Sequence, residues 1–350
     1  MIHWQTYYQQ NKHLPLNTIM EGYKKLTLEF AERMVLITQQ SQNVGSGYYS
    51  SSTSGGPSGI QRAIFGYGIN FGAANVSITN LVSNTGIIAT DTTGVGTARQ
   101  GLAAAGYGTD KAIFGFGETS GVVAMTNLVS NTGVVANDTA AVSVVPRQYL
   151  SAAAYGTDKA IFAYGAYNSA GTSTTAYTNL VSNTGVIAAD TYNGGQERMR
   201  SFGAGYGGDK AIFAYGSNVS NPVLNSTYLV SNTGIPSSGQ SNIGTARWGV
   251  AAAAYGTDKA IFGFGWNGST ELAITNLVSN TGVVAGDQTI ADNPRYWLAA
   301  AGYGGDKAIF SFGVNSGSTN LVSNTGVIST YILQVGTGRY KLAAAGYSLS

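Results

Sequence analysis

Six arginines recur at near-regular intervals along this chain: Arg99, Arg147, Arg198, Arg247, Arg295 and Arg339. Each is followed by a dipeptide that differs between copies: Gln100-Gly101, Gln148-Tyr149, Met199-Arg200, Trp248-Gly249, Tyr296-Trp297 and Tyr340-Lys341. A ring of guanidinium groups at a channel mouth could bind an anion, or it could tie neighbouring backbones together through planar donors. The unmatched aromatics Tyr149, Trp248, Tyr296 and Trp297, with Tyr167 and Trp266 from variable segments, suit a stacking surface for sugars. Arg200 and Lys341, bases outside the repeated positions, would be its polar partners. The alternative is a plug that caps the channel and fills loop cores.

Parts for catalysis are scarce. The chain has no cysteine, and its two histidines, His3 and His13, precede the repeats. The repeats therefore offer no imidazole base, thiolate nucleophile or His/Cys metal site. Asp91, Asp138, Asp190 and Asp287 occupy matching positions and read as turn caps. No carboxylate pair of the kind a glycosidase needs is legible, and no phosphate-binding glycine loop precedes a helix. The expectation is a non-enzymatic protein with no catalytic residues, metal or cofactor.

The elements that carry these residues are repeats. Lys-Ala-Ile-Phe occurs at Lys111, Lys159, Lys210, Lys259 and Lys307, with Arg62-Ala-Ile-Phe as a sixth version. Each precedes a Thr-x-Leu-Val-Ser-Asn-Thr-Gly segment, beginning at Thr79, Thr126, Thr178, Thr227, Thr275 and Thr319, so copies are 44 to 52 residues apart. That period, built from short apolar runs and turn residues, predicts a β-propeller or β-solenoid. In the second copy, strand a is expected over 99–107, b over 111–117, c over 127–130 and d over 134–136. On strand b, Ala112, Phe114 and Phe116 are expected on one face, with Ile113 and Gly115 on the other; both faces are apolar, as in a blade sandwiched between blades. The Ala-rich strand a suits the crowded axis.

No strand a precedes Arg62, yet one follows the sixth repeat, from Arg339 to Tyr347. The expectation is therefore an all-β, six-bladed propeller over 61–350, closed by the C-terminal strand. The a–b and c–d turns are nearly invariant and share one face. The b–c and d–a loops vary and share the other, where recognition surfaces are commonly placed.

Residues 1–40 read as a helical arm and 41–60 as a Gly/Ser-rich linker. Thr18 and Glu21 have capping-box spacing. Ile19, Tyr23, Leu26, Phe30, Met34 and Ile37 form one apolar stripe. The stripe packs either on its own propeller or on a neighbouring chain of a larger assembly. Formal charge is +2, which does not suggest nucleic acid as a partner. No run approaches the 18 apolar residues of a membrane span, and the N-terminus lacks the basic and apolar regions of a signal peptide.

The repeats resemble the kelch repeat. Arg99 with Ala103-Ala104-Ala105-Gly106 matches that family's inner strand, and Ile113-Phe114-Gly115-Phe116-Gly117 its glycine-marked second strand. The family's outer-strand Tyr and Trp are replaced by Leu and Val. Low charge, Ser/Thr/Asn/Gly-rich repeats and the arm also resemble virion proteins of tailed bacteriophages, such as tail-fibre or decoration proteins. The resemblances imply a virion structural and recognition protein, made in the host cytoplasm. Its arm would anchor to other virion subunits, in a homo-oligomer or larger complex, and its variable face would contact host-surface glycan or neighbouring subunits. The alternative is a kelch-type adaptor or lectin-like protein outside a virion.

Overall fold

The computed structural model describes residues 13–16, 18, 20 and 60–349, apart from 142–143, 194, 315–317 and 334. The arm stripe Ile19, Tyr23, Leu26, Phe30, Met34 and Ile37 lies outside the described residues. The chain divides into two units, Met1–Ser54 and Gly55–Ser350, and the second carries six antiparallel sheets arranged as the blades of a β-propeller. Among the described residues no helix is long and apolar enough to cross a membrane.

Blade 2 shows the pattern: strand a at Ala103–Tyr107, b at Lys111–Gly115, c at Met125–Val129 and d at Thr139–Ala140. Blades 3 to 6 repeat this order over 147–192, 198–238, 247–289 and 295–333. In blade 1 the inner strand comes from the other end of the chain. Ala343–Leu349 pairs antiparallel with Ile60–Gly66, from Ile60 opposite Leu349 to Gly66 opposite Ala343. Ile60–Gly66 pairs in turn with Thr79–Val82.

Three strand expectations need correction. Strand a is broken: Gly101 adopts a left-handed backbone (φ 63°), so 99–100 form a separate segment, with Gln100 bridging to Glu118. Strand b ends at Gly115 because Phe116 is also left-handed (φ 63°). That reversal turns Phe116 over. It packs with Ile113 in the core shared with blade 3, whereas Ala112 and Phe114 face blade 1. Strand d begins late. After Val135 bridges Val129, the Asn127 side chain donates to the Ala136 carbonyl (3.0 Å) and to Asp138 (2.9 Å), and strand pairing resumes only at 139–140.

The core consists of six clusters, one between each pair of adjacent blades. Tyr67 and Ile64 pack on Phe114 and Ala112, and Phe65 of blade 1 packs on Phe312 and Ile309 of blade 6. Phe114 and its counterparts Phe162, Phe262 and Phe310 are fully buried, each stabilising by roughly 1.5–3 kcal/mol relative to exposure. Space for such a ring is made by a small residue on the neighbouring blade: a Cβ at Gly115 would stand 2.7 Å from Phe162.

Backbone hydrogen bonds also run from blade to blade, in three belts. In the first, the N–H groups of Gly101, Tyr149, Arg200, Gly249, Trp297 and Lys341 each donate to the same position in the preceding blade, at 2.7–3.3 Å. Gly101 donates to Lys341, and Lys341 to Trp297, so this belt returns to its start. In the second, the glycine after strand b donates to the following blade's arginine carbonyl, from Gly68 to Arg99 through Gly313 to Arg339. The third joins the a–b turns: Gly108 donates to Asp158, Gly156 to Asp209, Gly207 to Asp258, Gly256 to Asp306, Gly304 to Gln61 and Ser348 to Asp110.

Candidate functional site

The six arginines do not stand at a channel mouth: Arg99, Arg147, Arg198, Arg247, Arg295 and Arg339 are all fully buried. Arg247 is representative. Its Nε donates to the Phe264 carbonyl (2.8 Å), Nη1 to the Thr245 carbonyl (3.0 Å) and Nη2 to Asn276 Oδ1 (2.6 Å). Asp287 lies 3.8 Å away, and the Tyr215 ring of blade 4 stacks 3.9 Å from the guanidinium carbon. Arg99 and Arg339 repeat the set with Asn127/Asp138 and Asn80/Asp91. Burial pulls Arg147 and Arg339 down to about 10, so both stay charged at neutral pH. Arg99, Arg247 and Arg339, with their donors bonded inside their own blades, present none to a dissolved anion, and Arg147, Arg198 and Arg295 each keep one Nε unpartnered but buried.

Sequence comparison overlooked the arginine's main acceptor. The variable position after Thr in Thr-x-Leu-Val is Asn80, Asn127, Asn179, Asn276 or Asn320 in five blades, and each of these bonds an arginine. Asparagine is depleted in strands, so its recurrence mid-strand was the available signal. Three blades depart from the set. In blade 3 the Arg147 Nη1 donates to the Tyr177 carbonyl while its Nε has no partner. Blade 4 has Tyr228 at this position, and Arg198 instead bonds Ser226 and the Tyr215 carbonyl beneath the Tyr228 ring. Blade 6 supplies its carboxylate from Asp292, three residues before Arg295, at 3.0 Å.

The matched aspartates do act as caps, but across long stretches of chain. Asp138 accepts from the backbone N–H and hydroxyl of Thr97 (2.8 and 2.7 Å), Asp287 accepts likewise from Thr245, and Asp91 from Thr337. Burial alone would raise these carboxyls. Hydrogen bonds from the threonine and the asparagine, with the arginine charge, outweigh it and hold Asp91, Asp138 and Asp287 below the usual carboxylate range. A carboxylate with a folded pKa below its unfolded value of about 3.9 stabilises the fold above that pH, and the contribution is lost as pH falls through the folded value. The urea midpoint is therefore expected to drop between pH 6 and pH 3, with a smaller drop in Asp138→Asn. Equal midpoints at both pH values would contradict this.

The two faces differ as their loops do. On the uniform face the turn lysines Lys111, Lys159, Lys210, Lys259 and Lys307 pair with the preceding aspartates at 2.6–2.9 Å. Each Asn-Thr-Gly turn there ends in an exposed aliphatic: Ile87, Val134, Val186, Ile235, Val283 and Val327. A surface repeated in every blade carries no individual address.

Individuality gathers around the first belt. The structure brings Tyr149, Trp248, Trp266, Tyr296, Trp297, Arg200 and Lys341 into one cluster, although they come from five blades. Blades 3 and 6 are opposite, and their Tyr149 and Trp297 rings meet with centroids 5.0 Å apart. From there the contacts run outward: Trp248 lies 5.4 Å from Trp297, Tyr296 5.3 Å from Trp248, and Trp266 5.4 Å from Tyr296. Trp248 and Trp266 are held opposite each other by reciprocal backbone hydrogen bonds of 3.0 and 2.9 Å. Trp297 is buried, while Tyr149, Trp248, Trp266 and Tyr296 keep part of their surface in solvent. Burial, followed by the charge of Glu271, pushes the Tyr296 hydroxyl up. A cavity at the first belt is lined by Tyr149, Arg200, Trp297 and Lys341, together with Leu102, Leu150, Leu298 and Leu342. Tyr167 is not part of the cluster. It is 48% exposed in its own loop, where its N–H donates to Ser173.

Chemically, the arrangement offers half-exposed indole and phenol faces beside two cations. That suits stacking and charge recognition. No protein-family model matches this chain, and no curated protein matches it.

Proposed function

We propose that the protein is a non-enzymatic structural and recognition module whose variable propeller face binds glycan. Its favoured setting is a virion, with the N-terminal arm as anchor to neighbouring subunits. The observation that carries the binding role is the aromatic cluster. Residues scattered over Tyr149 to Trp297 gather on one face, with Trp248, Trp266 and Tyr296 partly open to solvent. Saccharide rings present C–H faces that stack on such side chains, and aromatic contacts of this kind contribute about 0.5–1.5 kcal/mol beyond the area they bury. The anchoring role rests on the apolar stripe of the arm and on the resemblance to phage virion proteins. We propose further that pairing of Ala343–Leu349 with Ile60–Gly66 closes the ring, which gives the face a rigid base. A kelch-type adaptor or lectin-like role outside a virion is the second reading, favoured by the same cluster without the arm.

One experiment separates these elements. The full chain, Trp248→Ala/Trp266→Ala and a chain lacking residues 1–40 are compared for binding to a glycan array and for incorporation into the native assembly. The double variant is expected to bind roughly tenfold more weakly or worse, since each 1.4 kcal/mol is a factor of ten. The shortened chain is expected to bind glycan but fail to assemble. Unchanged binding by the folded double variant would remove the aromatic surface. Normal incorporation of the shortened chain would remove the anchor and leave the second reading.

A further inference from the structure

We propose that the glycan is acidic: Arg200 and Lys341 bind the carboxylate of a uronate- or sialate-type sugar at the centre of the variable face, a step that rests on the glycan reading above. The two cations occupy opposite positions of the first backbone belt, in blades 4 and 1, and flank the Tyr149–Trp297 ring pair. The Arg200 guanidinium carbon is 5.4 Å from the Tyr149 centroid and 5.9 Å from that of Trp297; Lys341 Nζ is 5.2 and 5.7 Å from the same rings.

Their charges are uncompensated. Five of the six repeat arginines have a carboxylate within 4 Å, and the five turn lysines are paired with aspartate. Among the described residues neither Arg200 nor Lys341 forms an ion pair. An aromatic face offsets part of the cost of desolvating a cation but accepts no strong hydrogen bond. Arg200 Nε is buried without a hydrogen-bond partner, and Lys341 Nζ donates once, to the Tyr149 hydroxyl at 2.9 Å. Donors therefore remain on both cations, and a carboxylate is an acceptor that matches either a guanidinium fork or an ammonium group.

The backbone fixes where the two cations emerge. All six belt positions are left-handed, with φ between 52° and 65°. Glycine fills two of them without strain, Gly101 and Gly249, and there a Cβ would come within 3.2 Å of Tyr149 or 3.3 Å of Trp297. Tyr149, Arg200, Trp297 and Lys341 carry side chains in the same belt-imposed conformation, so all four project from equivalent positions of one ring. Trp248, 5.0 Å from the Arg200 guanidinium, gives the sugar ring a face to stack on while its carboxylate reaches the cation.

The test uses the full chain and a panel of uronate- and sialate-bearing oligosaccharides, each beside its carboxyl-reduced form, with sodium acetate as a bare carboxylate. Binding is measured by calorimetry, and the fold of each variant is checked by thermal melting. At least one acidic oligosaccharide is expected to bind tenfold or more tightly than its reduced form, and the preferred source, uronate or sialate, is read from the same panel. Lys341→Met is expected to abolish most of that ratio, weakening the acidic form far more than the reduced form; Arg200→Gln is expected to do the same. Equal binding of acidic and reduced forms would overturn the acidic assignment and leave the glycan reading in place. Binding of no oligosaccharide by the folded protein would overturn both. Acetate binding as tightly as the best oligosaccharide would show an anion site that does not recognise sugar.

Discussion

A chain ending at residue 338 is expected to lose cooperative unfolding and to be recovered aggregated or as a collapsed, protease-sensitive species. The missing segment supplies the inner strand of blade 1, paired over seven residues with Ile60–Gly66. Its ladder bonds contribute roughly 1 kcal/mol net apiece. With it go buried Ala345 and Tyr347, and Arg339, which bonds the Tyr67 carbonyl at 2.9 Å and Asn80 at 2.7 Å from the far end of the chain. Thr337, whose hydroxyl bonds Asp91 at 2.6 Å, is left at a free chain end. The second belt loses the acceptor of Gly313, and the first loses the Lys341 link between Trp297 and Gly101. Together these losses match or exceed the whole stability of an ordinary domain, about 5–15 kcal/mol. The unpaired edge of Ile60–Gly66 would also invite association with other chains. Circular dichroism melting of the shortened and full chains decides the matter: coincident transitions would mean that the last strand does not close the ring.

The second large effect is expected at a buried arginine. Arg247→Met removes the donor to Asn276 and to two backbone carbonyls and leaves Asp287 without its cation. Stranding buried acceptors costs about 1–3 kcal/mol each, and Asp287, whose side chain keeps 27% of its surface in solvent, adds less than a fully buried partner would. Arg247→Lys is expected to recover little, since an ammonium cannot serve three acceptors fixed in the plane of a guanidinium. Arg198→Met is the control. No described carboxylate pairs with Arg198, its Nε has no partner, and its main contacts are Ser226, the Tyr215 carbonyl and two aromatic rings. Its loss should cost about 1–3 kcal/mol, the scale of stranded neutral acceptors. Urea denaturation of the three variants gives the ranking, and an equal cost for Arg198→Met and Arg247→Met would contradict this account of the buried pairs.

Much of the scaffold was legible in the repeats. Blade number, the pairing of the last strand with the first, and the split between a uniform and an individual face all follow from which segments recur and which are missing at the ends. The errors in strands a and b share one cause. Strands a and b were expected to run straight through Gly101 and Phe116, but both residues adopt left-handed backbones. Nothing in the type of Phe116 announces this, since a bulky L-residue rarely takes that conformation. It is imposed from outside: the next residue, Gly117, must donate to the Arg147 carbonyl of the following blade, and the reversal at Phe116 delivers that N–H.

By itself, then, the sequence determined the period, the number of blades and the short list of unmatched residues, because hydrophobic alternation and turn chemistry are local and repeat with the chain. Only the tertiary structure decided what those residues do. It placed the six arginines inside the protein, where burial makes a guanidinium need acceptors from its own blade. It also set Tyr149 against Trp297 at 5.0 Å, although 148 positions separate them. Circular symmetry brings opposite blades together at the axis, and no local pattern in a linear chain encodes which two side chains will meet there.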